Sequence, residues 1–291
     1  MKAKAIGSKD VFQLIKEAAL AWNNDSAASM GAAIAYYTIF SIAPLLIIAI
    51  AIAGFFFGVE AAQGHIFAQA RGLVGEEGAL ALQGLVESAS KPAEGFLATV
   101  IGLVIMVFGA TGVFAELQGA MDRIWQVPAA KQQWSLWSMI RRRLLTFGMV
   151  LGVAFLLLVS LVVSALISAL ETLWNPYVGV TGIILQILNF AVSFLIVAGL
   201  FALIFKLLPR VAVAWGDVII GAAATALLFN IGKFLIGLYI GKSGVVSGFG
   251  AAGSLVALLL WIYYSAQVFL LGAEFTWVYA KRYGSKSRSR S

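Results

Sequence analysis

Six long stretches of this chain carry almost no charge: Ala32–Gly58, Gly95–Ala115, Leu144–Leu170, Thr181–Phe205, Val218–Ile240 and Ala251–Ala280. Lys233 and Glu274 are the ionisable exceptions, in the fifth and sixth. A bilayer core takes about 20 apolar residues per helix, and hydrocarbon offers no partner to a bare backbone, so each stretch predicts a transmembrane helix. The expected fold is therefore all-α, a polytopic membrane protein with six spans. Composition agrees: 62% of the residues are hydrophobic and only 11% charged, where a water-soluble domain carries about 25%. Cysteine is absent and His65 is the one histidine. That excludes disulfides, thiolate metal sites and a cysteine nucleophile, and no cofactor is expected.

Lysine and arginine resist translocation, so their placement orients the spans. With the N-terminus inside, sixteen of the twenty basic residues fall on inner segments and only Arg71, Lys91 and Lys242 on outer ones. Both termini are then expected in the cytoplasm, which requires an even number of spans. The basic balance is read as a topology signal, and nucleic acid is not an expected partner. Residues 1–25 interleave Val11, Leu14, Ile15, Ala18 and Trp22 with charges at helical spacing, which predicts an amphipathic helix on the membrane surface. The spans and their loops fill residues 26–283. Within them the outer segment 59–94 is too polar to cross, and Ile66, Phe67, Ala70, Leu73 and Val74 predict one or two amphipathic helices there. Residues 284–291 form a basic, serine-rich tail suited to anionic headgroups.

Polar groups inside spans are costly without partners, so they mark candidate pathway or gate residues. Tyr37 and Ser41 are four apart on the first span, and Pro44 frees the carbonyl of Phe40, which predicts a bend. Ser160, Ser164 and Ser168 form a stripe on the third span, Lys233 lies within the fifth, and Tyr263, Gln267 and Glu274 share a face of the sixth. Gly148/Gly152 and Gly237/Gly241 have the spacing of close helix packing. At the inner end of the second span, Glu116 and Arg123 share one face while Gln118 and Asp122 share another. These four predict either an inner gate of ion pairs or an interfacial collar anchored by Trp125.

The stretch Ala35-Tyr36-Tyr37-Thr38-Ile39-Phe40-Ser41-Ile42-Ala43-Pro44-Leu45-Leu46 resembles the first-span signature of the YihY/BrkB membrane proteins. Leu117-Gln118-Gly119-Ala120-Met121-Asp122-Arg123-Ile124-Trp125 resembles that family's second motif, with Asp122 where many members have Asn. Leu260-Trp261-Ile262-Tyr263-Tyr264-Ser265-Ala266 and Leu271-Gly272-Ala273-Glu274 resemble its last-span motif. The resemblance implies a six-span protein of the bacterial inner membrane. It also brings proposals of lipid or solute transport, a contribution to virulence, and an older label as a tRNA-processing nuclease, RNase BN. Zinc-type RNA hydrolysis needs clustered His and carboxylates, which this chain lacks, so the nuclease label is not supported.

Two functions follow. The first is a carrier or flippase-like transporter of a lipid or small solute, with polar helix faces lining its cavity and membrane lipids around it. The alternative is a scaffold whose polar faces meet without a passage. No nucleophile stands beside a base and no Walker A sequence occurs, so neither an enzyme nor an ATP-driven pump is expected.

Overall fold

The structure, a computed structural model, describes residues 8–90, 112–128, 179–242 and 248–286, and all regular structure among them is helical. The helices are α1 (Ser8–Asn24), α2 (Ala27–Phe57), α3 (Val59–Ser90), α4 (residues 112–124), α5 (Gly179–Leu207), α6 (Trp215–Lys242) and α7 (Gly253–Arg282), with a short 3-10 turn, Gly250–Ala252, before α7.

Four helices are long and apolar enough to cross a membrane, over Ala27–Phe55, Phe190–Leu207, Trp215–Ile240 and Gly253–Arg282. They coincide with the first, fourth, fifth and sixth expected spans. The other two lie outside the described residues, apart from the end of the second at 112–115, and so do the serine stripe and the Gly148/Gly152 pair.

α7 is the hub, packing against α1, α2, α3 and α6. Small residues set the α6–α7 spacing. Thr225 of α6 and Thr276 of α7 are fully buried, and each returns its hydroxyl to the carbonyl four residues back, Gly221 and Gly272 respectively, at 2.7 Å. A Cβ at Gly272 would overlap Thr225, and one at Gly221 would overlap Thr276. The two Gly-x-x-x-Thr segments thus interlock reciprocally, each threonine filling the notch of the opposite glycine. Gly232 makes a third notch, filled by Tyr264. Gly237 was expected to pack by its GxxxG spacing, but a Cβ there would meet nothing among the described residues, so the contact falls one turn or more earlier on α6. Phe201 and Phe205 of α5, Phe229 of α6 and Phe269 of α7 close the same interior, Phe205 and Phe269 with ring centres 5.5 Å apart.

α1 and α2 are separated at Ser26, which adopts the left-handed conformation (φ 57°, ψ 41°). α1 lays Leu14 and Ala18 into the protein and leaves Val11, Phe12, Ile15 and Leu20 exposed. Its docking on α7 is fixed by Arg282, which donates to Glu17 and Gln13, and by Tyr283, which donates to Asp10 at 3.0 Å. α2 contains no charged residue and stays helical through Pro44.

The polar segment after α2 forms two helical arms meeting at Gly75, whose φ of 79° and ψ of 177° are open only to glycine. Ala62, Ala79, Leu82 and Val86 are buried while Glu76, Glu77 and Glu87 are exposed, as an amphipathic segment requires. Leu82 belongs to a cluster with Ala35, Leu258 and Ile262, and Val86 to one with Ala43 and Ile50. The arms therefore lie along α2 and α7.

Candidate functional site

The polar groups singled out in the sequence gather mainly at one end of the bundle, where α1, α4, the α5–α6 link and the last turns of α7 meet. α4 brings a four-residue polar pair to the link. Gln118 donates to the Leu208 carbonyl at 3.2 Å, and Asp122 accepts the Arg210 backbone N–H at 3.0 Å while pairing with the Arg210 guanidinium, also at 3.0 Å. The opposite side of α4 buries Met121, Ile124 and Trp125 in one core with Phe205, Leu208, Leu270 and Ala273. Apolar packing thus holds the helix, and the two polar side chains clasp the link. Among the described residues no ion pair joins Glu116 to Arg123, and Arg123 is exposed.

A second clasp was not foreseen. Asp217, buried in the first turn of α6, accepts the Ser285 hydroxyl at 2.6 Å and its backbone N–H at 3.2 Å. Gly284 leaves room for that carboxylate, which a Cβ there would overlap. Lys206 donates to the Val213 carbonyl and lies over the Trp215 ring, and Lys286 lies 4.8 Å from the centre of the Trp125 ring.

Gln267 and Glu274, seven apart on α7, face the α1–α2 junction. Gln267 points its amide at the Ala27 and Ala28 carbonyls at 3.5 and 3.4 Å, over the notch left by Gly31, while its own oxygen is buried without a partner among the described residues. Glu274 is 1% exposed and neither carboxylate oxygen has a hydrogen-bond partner among the described residues. Asp25, between α1 and α2, stands at the same junction. Asp25 also lines a cleft of about 500 Å³ between α1 and α7, with Glu17, Asn24, Gln126, Lys281 and Arg282 around it.

The remaining candidates lie elsewhere. Ser41 is buried and returns its hydroxyl to the Tyr37 carbonyl at 2.7 Å, and both side chains face Gly112 at the start of the described part of α4. Pro44 is buried one turn beyond. Tyr263 packs in the cluster under α3. Lys233 is half-buried towards the other end of α6, with no ion pair among the described residues. No group of three or more metal-ligating side chains occurs among the described residues.

Long apolar helices interlocked by small residues, with a buried polar junction at one end, define an integral membrane protein. The chain belongs to the virulence factor BrkB family, whose description matches residues 18–291. It is 32% identical over 182 residues to a UPF0761 membrane protein of Tolumonas auensis, a match covering 61% of this chain and 56% of the relative. A UPF0761 membrane protein of Rhodospirillum centenum is 28% identical over 260 residues, 88% of this chain and 54% of the relative. One of Ralstonia nicotianae is 28% identical over 259 residues, 86% and 54%. The chain thus spans about half the length of these relatives. No solved structure matches. The two segments that resemble the family's second and last motifs are joined in the core of the junction, through Met121, Ile124 and Trp125 on one side and Leu270 and Ala273 on the other.

Proposed function

We propose that the chain is a six-span protein of the bacterial inner membrane with both ends in the cytoplasm, and that it carries a lipid or small solute. The basic residues counted as cytoplasmic support this orientation. Lys206, Arg210, Arg282 and Lys286 belong to one connected set of contacts at the junction, joined to α1, α4 and the end of α7. The junction is then the cytoplasmic mouth. Gln118, Asp122 and Arg210 serve as a clasp of the mouth, and Gln267 and Glu274 as polar groups on the path behind it. Tyr37, Ser41 and Pro44, Glu116 and Arg123, and Lys233 and Tyr263 are assigned to the path or its rims by the same reading.

The observation that carries the proposal is Glu274. A chain selected only for stability has little reason to bury a carboxylate with no donor among the described residues on an apolar helix, since replacing it with a well-packed apolar residue would be neutral or stabilising. A group kept there at such cost points to something that binds or passes. The alternative reading, a scaffold, draws on the tightness of the two clasps, which would suit a rigid platform.

Purified protein reconstituted into vesicles and assayed with a panel of lipids and ions separates them. The carrier reading expects flux of one class, lost in Glu274→Gln while the amount of assembled protein is kept. Absence of flux for every candidate, with Glu274→Gln behaving as wild type, would favour the scaffold.

A further inference from the structure

The cleft of about 500 Å³ between α1 and α7 is of a size that holds a small molecule or a lipid headgroup. Its lining carries two acids and two bases, so it presents no net charge and suits a ligand that has both signs. Arg282 is committed to Glu17 and Gln13 along one wall. The other two charges of the lining are Asp25, where α1 gives way to α2, and Lys281, on the last turn of α7. The Lys281 ammonium lies 4.6 Å from the centre of the Trp277 ring and keeps hydrogen-bond donors for an anion. That ring face is thereby taken, so a quaternary ammonium group finds no aromatic seat on it. A primary ammonium needs acceptors instead, and the lining supplies them in Asp25 and in the amide oxygens of Asn24 and Gln126.

The backbone points to the same place. Among the described residues, Ser26 and Gln126 are the non-glycine residues with positive φ; the first follows Asp25 and the second lines the cleft. Gln126 ends α4. Its N–H donates to the Arg123 carbonyl at 3.0 Å and the Val127 N–H to the Asp122 carbonyl at 2.9 Å, a pattern in which glycine is usual at the left-handed position. Glycine would serve that turn without strain, whereas glutamine adds a side chain that lines the cleft. Leu20, exposed and also in the lining, continues along α1 through exposed Lys16 to exposed Phe12 at steps of four, two apolar side chains bridged by a lysine stem. We infer that the cleft binds the phosphoethanolamine group of a phospholipid. Asp25, Asn24 and Gln126 hold its ammonium and Lys281 its phosphate, while its chains lie along the stripe from Leu20 to Phe12. The site stands apart from the carrier reading, since a scaffold that holds lipid would use it equally.

The test counts, by native mass spectrometry, the lipid retained by the full chain released from nanodiscs that hold equal amounts of phosphatidylethanolamine, phosphatidylcholine and phosphatidylglycerol. Phosphatidylethanolamine should be retained over the other two, because the second lacks ammonium N–H donors and the third lacks the ammonium. Asp25→Asn and Lys281→Gln should each weaken that retention at least about tenfold, the loss expected for a hydrogen bond to a charged group. Gln126→Gly separates binding from folding and carries the test should the charge variants fail to assemble: thermal unfolding should move up, because the left-handed strain is gone, while retention of phosphatidylethanolamine falls. Glycerophosphoethanolamine, added to nanodiscs of phosphatidylcholine alone, offers the same group without chains. Retention of the lipid, with or without the ester, supports the site; retention of the ester alone would place the ligand in solution and overturn the phospholipid. Equal retention of the three lipids, or a Gln126→Gly chain that is stabilised and retains phosphatidylethanolamine as wild type does, would overturn the inference as a whole.

Discussion

Removing the carboxylate of Asp122 leaves the Arg210 backbone N–H without its acceptor and the guanidinium without its counter-charge, at a site where the Asp122 side chain is only 5% exposed. Asp122→Ala should lower stability by about 1.5–3 kcal/mol, the range for hydrogen bonds to a charged group, measured by thermal unfolding in detergent. Asp122→Asn should be milder, because its amide oxygen can still accept the backbone N–H. A loss in Asn equal to that in Ala would assign the whole effect to the ion pair. At Lys286, burial pulls the ammonium below the usual lysine range, with Asp217 opposing. The unfolded chain therefore binds more protons there once pH exceeds the folded value, and stability attributable to this group should rise with pH from that point up to about 10.4. Comparing unfolding of wild type and Lys286→Met across that window checks the sign. Gln118, Asp122, Gln267 and Glu274 were legible in the sequence because polar residues at helical spacing stand out in or beside apolar spans. Arg210 and Asp217 were not, because their partners are 88 and 68 residues away and no local pattern ties them together.

At the scale of elements, α6 and α7 make the sharpest case. Gly221→Leu should separate the helices by forcing a side chain into Thr276, costing about 1–3 kcal/mol by overpacking, and Thr276→Gly in the same chain should recover part of it. Gly237→Leu should be close to neutral by the same measurement. Equal losses at the two glycines would contradict the interlock. The helices themselves were legible from apolar length alone, but their contact faces were not: Gly237/Gly241 has the spacing of a packing motif, whereas the contact uses Gly-x-x-x-Thr twice. Spacing reveals which residues share a face and not which face a neighbour takes. The break between α1 and α2 was equally hidden, since it rests on one left-handed serine. Ser26→Gly relieves that conformation and should raise stability by about 1 kcal/mol, whereas Ser26→Val should lower it.

Over the whole molecule, the account joins an apolar exterior to a polar junction buried at one end. Leu227, Leu228, Ile231, Phe234 and Leu235 on α6 remain exposed, as a helix facing lipid would leave them, while Gln267 and Glu274 face the α1–α2 junction with few hydrogen bonds among the described residues. The proposed six-span count comes from the apolar stretches and the proposed cytoplasmic placement of this end from the charge distribution, and the carrier reading requires the junction to open to water. Single-cysteine labelling at Gln267→Cys, with a membrane-impermeant thiol reagent applied to oriented vesicles from either side, tests that directly. The account predicts modification from the cytoplasmic face and none from the outer face. A cysteine that reacts from neither side in intact vesicles, and only after denaturation, would contradict it.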